Sequence, residues 1–169
     1  ALTGAGEARL CHLDPWSGAP RFTVPVGEPV RPIAPPLVAR DTVLIATLGS
    51  HGTRILGFDK RTGERVFARD VCAGVASPLV VDDLLVLNSE VGELTAIEAR
   101  DGQPRYRHVF AEGPDGDRPR RLSPVLRSGA LFVPQTNVQV VRPSDGVLLG
   151  TVVTDIIPDL LRVDERCDV

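Results

Sequence analysis

The residue types able to do chemistry are sparse and scattered. His12, His51 and His108 stand in three different parts of the chain, and none has a nucleophile or a second ligand at a spacing that local structure would bring together. A triad needs its base held beside the nucleophile, so no triad is read here. Cys11, Cys72 and Cys167 are far apart and show no Cys-x-x-Cys spacing, which speaks against zinc. Their odd number speaks against a full disulfide framework. Each stands among apolar residues, the surroundings of an ordinary buried thiol, and the redox compartment stays open. Asp14 and Asp59 precede short polar-glycine pairs, and Asp82-Asp83 separates two apolar runs. Those positions call for turn formers, because a short carboxylate can bond the local backbone. No residue is assigned as catalytic, cofactor-binding or metal-ligating, and no cofactor is expected.

Binding residues are sought in the loops instead, since loops on a rigid scaffold carry most contacts. The segment from Gly113 to Arg121 is the longest insertion between apolar runs, and it carries Arg118, Arg120 and Arg121 against Asp115 and Asp117. It reads as a solvated loop and as the first choice for a partner contact. His51, within Gly49-Ser50-His51-Gly52, comes next. The formal net charge of −3 gives no electrostatic reason to expect nucleic acid or an anionic membrane as the main partner. One lysine stands against 18 arginines, a bias read as the genome's before it is read as function. No apolar run approaches the roughly 18 residues of a membrane span. The chain holds no methionine, which suits a processed mature form or a domain of a longer protein. Residues 1–9 read as a tail or linker, and 10–169 as one repeat domain.

The elements that must position these loops repeat. Four segments share apolar residues, a tight polar turn ending in glycine, and a further position four residues on that is aromatic in three of them: Leu10–Phe22, Ile55–Phe67, Leu94–Tyr106 and Val138–Gly150. The turn glycines Gly18, Gly63, Gly102 and Gly146 are 45, 39 and 44 residues apart. That period suits a propeller blade of four short strands. Helix-pair solenoids have similar periods, but the runs here are short and broken by 16 glycines and 15 prolines, which favours strands. Ser17, Thr62, Asp101 and Asp145 precede the glycines. Glycine takes φ > 0 without a steric penalty, so each turn can join two adjacent antiparallel strands.

A second column lies about 20 residues upstream of the first in each repeat. It reads Pro36-Leu37-Val38, Pro78-Leu79-Val80, Pro124-Val125-Leu126 and, less well, Pro158-Asp159-Leu160-Leu161. Polar turns and apolar runs follow the first three. The expectation is therefore an all-β propeller or partial propeller of four-stranded antiparallel blades. Three full blades run from Pro36 to about Cys72, from Pro78 to about Phe110 and from Pro124 to about Val153. Strands over 10–26 and about 157–169 would share a split blade. Two outcomes stay open: a ring closed within the chain, setting the strand of Cys167 beside that of Cys11, or an open arc completed by other segments or copies.

At its turns the sequence resembles the pyrroloquinoline-quinone (PQQ)-like repeat family. Phe58-Asp59-Lys60-Arg61-Thr62-Gly63-Glu64-Arg65-Val66-Phe67 follows that family's Asp-x-x-Thr-Gly and downstream aromatic most closely, with phenylalanine for tryptophan. The aromatic column is Phe22, Phe67 and Tyr106, broken at Gly150; the aspartate column decays from Asp14 and Asp59 to Glu98 and Arg142. The resemblance implies aromatics packed between neighbouring blades. It also implies either a quinoprotein dehydrogenase or a non-catalytic propeller. The dehydrogenases need carboxylate and amide ligands for calcium, a catalytic aspartate, a stacking tryptophan and, in many, a disulfide between adjacent cysteines. Here no cysteines are adjacent and the one tryptophan, Trp16, lies inside a turn. The expected function is thus a non-catalytic scaffold that binds protein. A fragment of a PQQ-dependent dehydrogenase and a sensor or ligand-binding propeller of a signalling protein are the alternatives. The resemblance alone implies a periplasmic or cell-surface location.

Overall fold

The computed structural model describes residues 2–3, 8–110 and 122–153. Among them there is no helix, and four antiparallel sheets follow one another along the chain. The first sheet holds β1 (Leu2–Thr3), β2 (Arg9–Leu13) and β3 (Pro20–Pro25). The second holds β4 (Leu37–Ala39), β5 (Thr42–Leu48), β6 (Gly52–Asp59) and β7 (Arg65–Ala73). The third holds β8 (Ala76–Val81), β9 (Leu84–Ser89), β10 (Glu93–Glu98) and β11 (Pro104–Val109). The fourth holds β12 (Val125–Arg127), β13 (Ala130–Pro134), β14 (Val138–Val141) and β15 (Leu148–Val152). Every sheet is a meander in which sequence neighbours pair. The three full blades therefore appear where the two columns place them, and the described residues form a partial propeller.

The glycine turns are built alike in all four sheets. The glycine N–H donates to the carbonyl four residues back: Gly18 to Asp14, Gly63 to Asp59, Gly102 to Glu98 and Gly146 to Arg142, at 2.8–2.9 Å. The residue before each glycine accepts the N–H of the residue after it: Ser17 from Ala19, Thr62 from Glu64, Asp101 from Gln103 and Asp145 from Val147. A short oxygen at that position and φ between 70° and 77° at the glycine are what the sequence column records. A bulge precedes each turn at the same place, between the third and fourth residues of the repeat. It adds local twist where the strand must turn.

The sheets pack face to face, and alternation along the strands decides which residues meet. Leu10 and Val26 of the first sheet region meet Ile45, Leu56 and Phe58 of the second. On the opposite face of the second sheet, Leu44, Ala46 and Ile55 meet Leu85, Leu87 and Ile97 of the third. The third sheet's far face puts Leu84, Val86, Leu94 and Ala96 against Leu131, Val133 and Val141. Three apolar seams thus hold the arc, each side chain of Leu or Ile size contributing about 1.5–3 kcal/mol when fully buried.

Two expectations need correction and two fall outside the description. Pro78 is the third residue of β8 rather than its start; β8 is an edge strand, so the missing N–H breaks no ladder. Cys72 is buried, but Cys11 is only half-buried, because β2 presents it on a face that no other described sheet covers. Cys167 and the strands expected over 157–169 lie outside the described residues, as does the whole insertion from Gly113 to Arg121. Within residues 1–9, Leu2 and Thr3 pair with Leu10 and Arg9, giving the first sheet a short third strand.

Candidate interaction face

The strand order gives the arc two unlike ends. One end carries the tight turns between first and second strands and the glycine turns between third and fourth. The other carries the turns between second and third strands and the connections from sheet to sheet; we call it the loop end.

His51 is exposed at the loop end, in the turn from β5 to β6. Gly49 N–H donates to Gly52 O at 2.7 Å and closes this turn. A side chain on Gly52, at φ 140°, would collide with the backbone of Cys72 and Gly74. Beside it, Arg54 donates to Asp70 at 3.0 Å and to Glu28 at 3.0 Å, and Arg65 reaches Glu28 at 3.1 Å. Glu28 lies on the connection between the first and second sheets, so this network fixes that connection to β6 and β7.

Arg118, Arg120 and Arg121 lie outside the described residues. The two points where their segment leaves and rejoins the sheets do not. Phe110 N–H donates to Gly92 O at 2.9 Å, beside the turn from β9 to β10. Leu122 O accepts from Asn88 Nδ2 at 3.0 Å, and the same amide nitrogen donates to Pro134 O at 3.1 Å. Gln135 Nε2 donates to Asn88 Oδ1. Both anchors are therefore at the loop end, the end that presents His51. Asn88 is fully buried and joins the third sheet to the fourth there.

A deeper polar cluster stiffens the same end. Glu93 is buried, and Arg107 holds both its oxygens, Nε to Oε1 at 2.9 Å and Nη2 to Oε2 at 3.0 Å. Thr95 Oγ1 adds a bond of 2.7 Å to the same carboxylate. Nearby, Thr53 Oγ1 donates to Gly74 O and accepts from Ala76 N–H, tying β6 to the start of β8. Burial pushes the Cys72 thiol up to about 11, so it is neutral and unreactive at physiological pH.

The opposite end gathers carboxylates that the sequence shows only as separate turns. A cleft of about 750 Å³ between the second and third sheets is lined by Asp41, Asp59, Asp83, Glu98 and Asp101, with Arg40 and Arg100. Arg40 pairs with Asp83 at 2.8 Å, bridging the two sheets. These acids are largely committed: the N–H groups of Thr62 and Arg61 hold the Asp59 carboxyl below the usual range, and Asp101 closes its own turn. Among the described residues, no three His, Cys, Asp or Glu side chains are grouped to hold a metal ion. Trp16 projects from its turn at 94% exposure. These residues do not fit a stacked quinone beside calcium.

Comparison with known proteins agrees with this geometry. No curated protein matches the chain by sequence. BamB from Moraxella catarrhalis superposes with a TM-score of 0.62 at 21% identity, over 85% of this chain and 42% of that one. A quinohemoprotein alcohol dehydrogenase, ADHIIG from Pseudomonas putida HK5, superposes with a TM-score of 0.57 at 14% identity, over 85% of this chain and 31% of that one. The chain thus spans less than half the length of either, and at these identities the likeness is one of fold. The sequence profile of the family described as outer membrane protein assembly factor BamB matches residues 1–142. Built of PQQ-like repeats and matched over most of its length, the chain belongs to the BamB family of β-propeller proteins.

Proposed function

We propose that this chain is a non-catalytic propeller scaffold that binds another protein through its loop end, and that the partner takes part in assembling outer-membrane proteins at the bacterial envelope. The observation that carries the reading is how the potentially reactive groups are used. Asp14, Asp59, Asp101 and Asp145 bond their own turns, Glu93 is bound by Arg107, and Cys72 is a neutral buried thiol. What remains is a stiffened loop end with exposed His51 and, beside it, Phe110 and Leu122, the two ends of the segment whose sequence carries Arg118, Arg120 and Arg121. The family supports binding of protein in general; the envelope assembly partner is carried over from the family's description.

The rival reading is a piece of a PQQ-dependent dehydrogenase, favoured by the fold shared with the quinohemoprotein enzyme. Titrating the chain with PQQ and calcium, followed by quinone fluorescence and by alcohol-dependent dye reduction, separates the two. The scaffold reading expects neither saturable quinone binding nor dye reduction. Stoichiometric binding with alcohol-dependent reduction would overturn it.

A further inference from the structure

A strand at the edge of a sheet leaves one row of N–H and C=O groups unpaired, and folded proteins shield such edges with short strands, prolines and charges. Every described sheet edge but one carries such a device. β1, β4 and β12 are two or three residues long. β8 contains Pro78. β3 begins and ends in proline and carries Arg21. β7 carries Arg65, Arg69 and Asp70, and β11 carries Pro104, Arg105 and Arg107. β15 has none of them. It reads Leu148-Leu149-Gly150-Thr151-Val152 at the edge of the fourth sheet, with Val147 before it and Val153 after it. The whole run from Val147 to Val153 holds neither charge nor proline. It is also presented: Leu148, Leu149 and Val152 are 51–52% exposed and Val153 is 77% exposed. Among the described residues, no strand pairs with the free side of β15.

We infer that β15 is a dimerisation edge: two copies of this chain pair their β15 strands antiparallel across a two-fold axis at Gly150, joining two four-stranded sheets into one. The run itself specifies a second copy as the occupant, because its pattern is nearly the same read from either end. Turned antiparallel to itself about Gly150, it sets Val147 opposite Val153, Leu148 opposite Val152 and Leu149 opposite Thr151. Each pair joins apolar or β-branched side chains, which stabilise neighbouring strands, and none sets like charges together. The two Gly150 residues meet at the centre, where the lack of side chains lets two backbones approach closely. The same operation about the middle of β7 would set Arg69 against Arg69. A contact that uses one patch on both copies closes on itself, and the other described edges are shielded, so assembly stops at two. The inference stands apart from the proposed function, since it concerns the edge of the fourth sheet and not the loop end.

Sedimentation velocity of the full chain at rising concentration reads the dimer directly, and charge placed on the edge reads its register. Leu149→Lys with Thr151→Lys sets lysines face to face at two pairs and should raise the dissociation constant more than tenfold. Leu149→Lys with Thr151→Glu sets each lysine opposite a glutamate and should keep the dimer, now weakened by salt. Both positions are exposed, so both variants should keep the parent's circular dichroism spectrum. A further measurement needs no added charge. With Cys11 and Cys167 replaced by serine, Gly150→Cys should give a disulfide-linked dimer on mild oxidation, and Arg69→Cys in the same background should not. A wild-type chain that stays monomeric up to about 1 mM overturns the inference, whether the edge is filled by its own residues 154–169 or by nothing. So does a dimer that survives the paired lysines in a folded chain, or one lost equally in both folded charge variants. Assembly beyond two copies, or failure of the cross-link at position 150, overturns it as well.

Discussion

Phe67 and Gly102 fit together across the joint between the second and third sheets: a methyl carbon on Gly102 would approach Cδ2 of the ring to 2.6 Å. Within its own sheet the same ring covers Gly57, whose missing side chain leaves the room it occupies. Phe67 is therefore held between two glycines of different sheets, and the joint depends on side chains that are absent as much as on the one present. Truncation by Phe67→Ala should lower stability by about 2–4 kcal/mol, somewhat under the fully buried range because the ring keeps partial exposure. Gly57→Ala alone should also destabilise, but the double variant should cost less than the two single costs added, since the clash disappears with the ring. Urea midpoints of the four proteins, at unchanged slope, check this; strict additivity would show that the ring is not seated on Gly57.

Asp59 gives a pH prediction with a definite direction. The N–H groups of Thr62 and then Arg61 favour its charged form and lower its folded pKa. A carboxylate with a depressed folded pKa contributes stability that is present above the unfolded value, about 4, and lost as pH falls through the folded value. The wild-type urea midpoint should therefore drop as pH falls below about 4. In Asp59→Asn the midpoint should start lower at pH 7 and drop less. Parallel curves for the two proteins between pH 7 and pH 2.5 would contradict the assignment.

The buried carboxylate of Glu93 makes Arg107 a sensitive position. Arg107→Met leaves Glu93 without its two charge-assisted bonds while keeping much of the stem's packing. The unfolding midpoint should fall, by less than for a fully buried pair, because the arginine side chain is largely exposed and water can replace part of it. Thermal or urea unfolding reads the loss directly, and Glu93→Gln on the Arg107→Met background should recover part of it.

Cys72 should report on opening of the second and third sheets. With Cys11 and Cys167 replaced by serine, the remaining thiol should react with a disulfide reagent at pH 8 only at the rate of local or global unfolding. Its raised pKa, about 11, and its burial both withhold the thiolate. Reaction at the rate of a free thiol would place Cys72 outside the seam.

The sheets were legible because the turns impose identical demands four times. A short oxygen before a glycine is visible in a sequence, and each occurrence, from Ser17-Gly18 to Asp145-Gly146, marks the same hydrogen-bonded turn. The aromatic column gave the joints for the same reason. β1 escaped notice because Leu2 and Thr3 are two residues with no alternation to read. The carboxylate-lined cleft was also hidden: Asp41, Asp59, Asp83 and Asp101 come together only because successive sheets stack their turns at one end. His51 was found as a turn residue, but its place on the end where the insertion is anchored follows from Phe110 on Gly92 and Asn88 on Leu122. Those bonds join sequence-distant backbones, and no local pattern announces them.

Protein binding through the loop end is the central claim, and site-specific cross-linking in the bacterial envelope tests it most directly. A photoreactive amino acid is placed in turn at His51, at Arg120 and, as the control on the opposite end, at Arg100. The first two positions should yield adducts with one and the same polypeptide, and Arg100 none. Adducts from Arg100 alone, or none from His51 and Arg120 in a chain that is folded, would contradict the claim.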